Sequence, residues 1–120
     1  MFRWLGHAAL LIFPSNWPEP LSRVLIEASA LCVPIAAMNT GGTSDVITDE
    51  ETGLLSTSAD ELAVDVARLA EDKPLRVRLG AAAGKRAEAM FDLPVVVGRV
   101  EALYDHVLAR HRAHRGKGVA

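Results

Sequence analysis

The chain has 120 residues, half of them apolar and 23% charged, with a formal charge of -2 and a pI near 6.1. That composition describes one ordinary globular domain and excludes a disordered or fibrous segment. It also argues against a domain built to hold nucleic acid, which needs a concentrated positive surface. With Cys32 alone, and no paired Cys or Cys/His spacing, neither a disulfide framework nor a zinc site is expected. Cys32 lies within the apolar residues 28–34 and reads as a small buried hydrophobe.

Residues 1–5 carry one positive charge ahead of a short apolar run and superficially resemble a leader peptide. The run stops at Pro14-Ser15-Asn16, which is turn chemistry, and no small-x-small cleavage site follows. Residues 8–13 are continuously apolar, far short of the ~20 residues that span a bilayer, and predict a short strand buried on both faces of a parallel sheet. A polar loop with Trp17 leads to Pro20, which suits the first turn of a helix because its missing N–H would have had no partner there. The helix is predicted over residues 20–31. Leu21, Val24, Leu25, Ala28 and Leu31 share one face and Ile26 and Ala30 lie on the other, so the helix is apolar nearly all round and its interior carboxylate, Glu27, requires an explanation.

Residues 33–38 predict the next strand and residues 39–44 a loop at its C-terminal end, which completes a βαβ unit. A short segment from Asp45 and a turn at residues 49–53 precede Leu54 and Leu55. Ser58 and Glu61 have capping-box spacing, and Leu62, Val66, Leu69 and Ala70 form the inner face of the helix they open. Pro74 opens another helix with Leu75, Leu79, Ala82, Ala83 and Met90 inward. Pro94 opens the last, with Val96, Val97, Val100, Tyr104, Val107 and Leu108 in helical period. The fold class is therefore α/β: a partial Rossmann-like parallel sheet flanked by helices, with further helices at the C-terminus. One domain is expected over residues 1–112, followed by a disordered, solvated basic tail over 113–120 from the run Arg110, His111, Arg112, His114, Arg115 and Lys117. Such a tail allows at most peripheral membrane contact.

Glu19 and Glu27 are separated by seven residues. Eight steps of helix put their backbones about 12 Å apart along the axis and roughly 80° apart around it. A carboxylate pair acting on one glycosidic bond sits about 5 to 9.5 Å apart, so this is not an ordinary hydrolase pair. The separation suits one long ligand, a sugar nucleotide with hydroxyls at both ends and a diphosphate between. The free amides of Leu21, Ser22 and Arg23 at the helix mouth would face that anion. Both candidate loops lie beyond the C-terminal strand ends, where open α/β sheets bind ligands, and Gly41-Gly42 permits close backbone approach or a positive φ. The histidines have no nucleophile or metal spacing.

The run from Phe13-Pro14-Ser15 through Glu19-Pro20-Leu21-Ser22 to Glu27-Ala28 is followed by Val33-Pro34, Gly41-Gly42 and Glu51-Thr52-Gly53-Leu54-Leu55. This order resembles the retaining GT-B glycosyltransferases of the family-4 type, whose signature is the E-x7-E arrangement. The resemblance implies that Glu27 holds ribose hydroxyls, that Glu19 is the catalytic-site carboxylate contacting the transferred hexose, and that Pro20, Leu21, Ser22, Gly41 and Gly42 bind the donor, with no metal and no cofactor. It implies a cytoplasmic location and a nucleotide-sugar partner. Ser22 stands where many relatives have glycine, and Asp45 where glutamate commonly follows the Gly-Gly loop. The family's N-terminal half is not represented, nor the upstream Arg/Lys pair that meets the pyrophosphate, for which Arg3 and Arg23 are poor substitutes. The expectation is thus a donor-binding segment inactive without a complementary half or self-association, the alternative being a non-catalytic nucleotide- or protein-binding module.

Overall fold

A computed structural model describes residues 2–116 of the chain. In chain order the elements are α1 (Phe2–Leu5), β1 (Leu11–Phe13), α2 (Arg23–Ala30), β2 (Ile35–Met38), α3 (Thr43–Val46), β3 (Leu54–Ser56), α4 (Ala59–Glu71), α5 (Lys73–Phe91) and α6 (Leu93–Gly116). The chain divides into two compact units, Met1–Glu88 and Ala89–Ala120.

The first unit is the α/β, Rossmann-like arrangement expected. Its sheet is parallel throughout, in the order β1-β2-β3, with Leu11 opposite Ile35 and Ala36 opposite Leu54. Alternation puts Ala36 and Met38 on one face with Leu54. Leu62, Leu69, Leu75 and Leu79 from α4 and α5 join them in one buried cluster. β2 is buried at every position because it has a strand on each side. β1 is shorter than the residues 8–13 predicted and is not buried on both faces: Ala8 and Ala9 are exposed, and Ile12 keeps 46% of its surface. The reason is its position, with a neighbour on one side only.

Helix ends follow local chemistry. Ser58 caps α4, its hydroxyl accepting from the Glu61 N–H at 3.2 Å. The Glu61 carboxylate reaches one residue further back than in a standard capping box, accepting from the Thr57 N–H at 2.7 Å and the Thr57 hydroxyl at 2.6 Å. Asp72 closes α4 and opens α5, its carboxylate accepting from the Leu75 N–H at 2.8 Å.

α2 ends in a Schellman motif: the Cys32 N–H donates to the Ser29 carbonyl and the Val33 N–H to the Ala28 carbonyl, both at 2.9 Å. Cys32 occupies the left-handed position, φ 56, where glycine is usual. It is exposed rather than the buried hydrophobe expected, because the motif turns that residue outward at the helix end.

The second unit holds the end of α5 and the long α6. Asp92 accepts from the Leu93 N–H through its carboxylate at 3.0 Å, and Arg99 donates to the Met90 carbonyl at 3.2 Å. α6 continues through Gly116, past the boundary at 112 where a disordered tail was expected to begin, since nothing in residues 113–116 breaks a helix before the glycine. The rest of that tail, residues 117–120, lies outside the described residues, as does any leader reading that rests on Met1.

Candidate functional site

Because all three strands are parallel, the segments that follow β1 and β2 leave the sheet at the same end. Hydrogen bonds tie those two segments together. The Thr40 hydroxyl donates to the Ser15 carbonyl at 2.9 Å, and the Gly42 N–H donates to the Glu19 carbonyl at 2.8 Å. Gly41 has φ +52, and a Cβ on it would overlap the Glu19 carbonyl oxygen; a Cβ on Gly42 would overlap that of Pro20. Both glycines are thus required by close approach, but the backbone they approach is the chain's own residues 18–20. Gly42 is buried with its amide committed, while Gly41 is exposed.

α2 begins at Arg23, three residues later than Pro20 would have it, with Ser22 as N-cap in extended geometry, φ -85 and ψ 118. Pro20 lies in a bend and the Ser22 backbone is extended, so the chain enters the helix only after Ser22. The Ser22 hydroxyl makes no cap bond. Among the described residues no backbone N–H of residues 21–25 donates a hydrogen bond, and the first amide engaged is that of Ile26, to the Ser22 carbonyl at 3.5 Å. The free donors therefore include the predicted Leu21, Ser22 and Arg23 and extend to Val24 and Leu25. At the positive end of a helix such a run attracts an anion.

The Glu27 side chain retains only 16% of its exposure and pairs with Arg23 at 3.3 Å, an i,i+4 contact whose arginine is 89% exposed. Such a pair contributes about 0.3–0.5 kcal/mol, and less when the cation precedes the anion. Glu27 is therefore sheltered with one weak partner, on a helix less enclosed than expected: Leu25, Ala28 and Ser29 are buried, whereas Leu21 and Leu31 are exposed. Glu19 is half-buried, and its carboxylate has no hydrogen bond or ion pair among the described residues. Trp17 on the same segment is 72% exposed, so it does not serve as a packing residue there; Trp4 is exposed as well. Asp45 stands exposed in the single turn of α3, a helix that replaces the loop predicted for residues 43–44.

An open groove of about 560 Å³ runs along β3 and α4, lined by Asp49, Glu50, Thr57, Asp60, Glu61 and Asp65 with Leu55 and Val64, and it contains none of the predicted site residues. Its carboxylates are mostly engaged within the chain. Asp49 accepts from the Leu55 N–H and Asp65 from the Ser56 hydroxyl. Glu50, at φ 61, is held by the Arg68 guanidinium in two hydrogen bonds, which lower its pKa from the ordinary carboxylate value. The Thr57 hydroxyl, with the Thr57 and Ser58 amides, likewise holds the Glu61 carboxyl below its usual value. Among the described residues no group of three or more His, Cys, Asp or Glu side chains is arranged to hold a metal ion, and no helix is long and apolar enough to cross a membrane.

Sequence reasoning missed two supports of this end of the sheet. Thr43 donates through its hydroxyl to the Thr40 carbonyl at 2.7 Å, and Arg86 on α5 donates to the Asp45 and Val46 carbonyls. Thr43-Ser44-Asp45 after a glycine was a legible helix start with an acidic first turn. Arg86 carries no local signal, because its targets lie 40 and 41 residues upstream.

Comparison with known proteins agrees with this architecture. The sequence profile of the family described as Glycosyl transferases group 1 matches residues 3–86. The capsular polysaccharide biosynthesis glycosyltransferase CapM of Staphylococcus aureus is 31% identical over 101 residues, which cover 82% of this chain and 26% of that protein. A sucrose-phosphate synthase from Thermosynechococcus elongatus superposes with a TM-score of 0.79 at 30% identity, over 89% of this chain and 27% of that one. Anabaena HepE in complex with UDP-glucose superposes with a TM-score of 0.76 at 25% identity, over 86% of this chain and 29% of the other. The chain thus spans roughly a quarter of the length of the proteins it matches. With its parallel Rossmann-like sheet of the GT-B kind, the chain belongs to the glycosyl transferases group 1 family.

Proposed function

We propose that this chain supplies the donor-binding face of a retaining glycosyltransferase that moves a hexose from a nucleoside diphosphate sugar to an acceptor. In this reading Glu27 accepts hydrogen bonds from ribose hydroxyls, Glu19 meets the transferred hexose, and the amides from Leu21 and Ser22 onward face the diphosphate. Pro20, Gly41 and Gly42 shape the wall behind them. The observation that carries the reading is the run of amides at residues 21–25, unpartnered among the described residues and flanked in sequence by the sheltered Glu27 carboxylate and by that of Glu19, which is unpaired among them. The UDP-glucose held by HepE, a protein of the same fold, supports the ligand class. Transfer itself is proposed to need a complementary N-terminal half or association with another copy, in a cytoplasmic protein that touches membrane at most peripherally.

Calorimetric titration with UDP, GDP and ADP tests this directly. One nucleotide should bind, and Glu27→Ala should weaken it by roughly tenfold or more, the scale of a lost hydrogen bond to a charged group. Silence from all three would leave the non-catalytic module as the better account.

A further inference from the structure

We infer that Arg86 is a positioning residue for the segment that carries Glu19, acting through α3. Its Nε–H donates to the Val46 carbonyl at 3.0 Å and its Nη2–H to the Asp45 carbonyl at 3.1 Å, so one guanidinium holds the C-terminal end of α3 from a helix 40 residues away. The turn it holds is closed upon itself. Ile47 N–H donates to the Thr43 carbonyl at 2.9 Å, Asp45 N–H to the Gly42 carbonyl at 3.1 Å, and Thr43 N–H to the Thr40 carbonyl at 3.1 Å. A displacement at Val46 is therefore passed to Gly42 with little slack.

Gly42 is the coupling point. Its N–H donates to the Glu19 carbonyl at 2.8 Å, and neither Gly41 nor Gly42 has room for a Cβ against the backbone of residues 18–20. Close-packed backbone transmits a shift instead of absorbing it. The path from Arg86 through α3 and Gly42 to Glu19 is thus continuous in hydrogen bonds and contact. Two other arginines of α5 serve as built-in controls. Arg76 donates to the Leu69 and Ala70 carbonyls at the end of α4, and Arg78 to the Glu50 carbonyl. Among the described residues neither is hydrogen-bonded to residues 39–47.

The role rests on the donor-site reading above, and its test separates the two. Amide hydrogen exchange at Gly42 and nucleotide affinity are measured for the full chain, for Arg86→Ala, Arg86→Lys and Arg76→Ala, with circular dichroism to confirm the fold. Arg86→Ala should speed Gly42 exchange and weaken the nucleotide about tenfold, as misplacement of a binding group does. Arg86→Lys, which can still reach one carbonyl, should recover part of both, and Arg76→Ala should change neither beyond a general loss of stability. Unchanged Gly42 exchange in Arg86→Ala overturns the linkage. Faster exchange with unaltered affinity overturns the positioning role. If the unmodified chain binds no nucleotide while Gly42 exchange still follows Arg86, the linkage stands and the donor-site reading fails.

Discussion

At the residue scale the clearest demands fall on Gly41 and Gly42, whose missing side chains let two backbone segments touch beyond the strand ends. Gly41→Ala forces a left-handed backbone on alanine and a methyl group into the Glu19 carbonyl, and Gly42→Ala drives one into that of Pro20. Each should destabilise the fold by about 2 kcal/mol or more, from strain together with a displaced 18–20 segment. Gly98 on α6 is the counterexample, since a Cβ there meets nothing within 4 Å. Gly98→Ala should stabilise its helix by about 0.5–1 kcal/mol, the conformational entropy that glycine loses in a helix. Urea unfolding of the first pair and helical circular dichroism of the third distinguish the two outcomes. Equal effects at all three positions would show that close approach is not what Gly41 and Gly42 satisfy.

At the scale of elements, α4 is the helix most fully specified by its own sequence. Ser58 caps it and Glu61 locks the residue before the cap. Ser58→Ala should cost about 1 kcal/mol by leaving the Glu61 amide unpartnered. The carboxylates add a pH dependence of defined sign. Glu61 is held below its ordinary pKa by Thr57, and Glu50 by Arg68, so between the lowered folded values and the unfolded ones the unfolded chain binds more protons. Stability from these groups is complete above about pH 4.3 and is lost as pH falls through the depressed values. Urea midpoints taken from neutral pH down to pH 3 should fall less steeply for Glu50→Gln/Glu61→Gln than for the unmodified chain; parallel slopes would refute the assignment.

The same elements show what a sequence can reveal. Ser58 and the apolar spacing of α4 announced themselves because caps and helical periods are local. The start of α2 was misplaced because Pro20 is compatible with a first turn, whereas here it lies in a bend and the backbone at Ser22 is still extended. α3 was read as loop because Gly41-Gly42 signals a turn, and the turn simply continues into helix.

For the whole molecule, the parallel unit of β1, α2 and β2 could be read from a strand-helix-strand pattern, whereas the place of β3 and the burial of each strand could not. β1 looked like an interior strand because residues 8–13 are apolar, and the composition of a strand does not say whether it has one neighbour or two. Ile12 therefore remains 46% exposed on a strand paired only with β2. The other edge of the sheet is treated differently: Asp49 accepts from the Leu55 N–H and so occupies a donor of β3 with a side chain. No such cap covers β1 among the described residues. An unpaired row of amides and carbonyls beside the exposed Ile12 side chain is a template for another strand. Three residues offer few ladder bonds, so the association expected of the chain alone is weak and rises with concentration. Sedimentation velocity over a wide concentration range should show it, and Ile12→Lys, which places a charge on that edge, should return the chain to monomer with its circular dichroism intact. A chain that sediments as monomer throughout, or Ile12→Lys associating as strongly as its parent, would show that the β1 edge draws no partner.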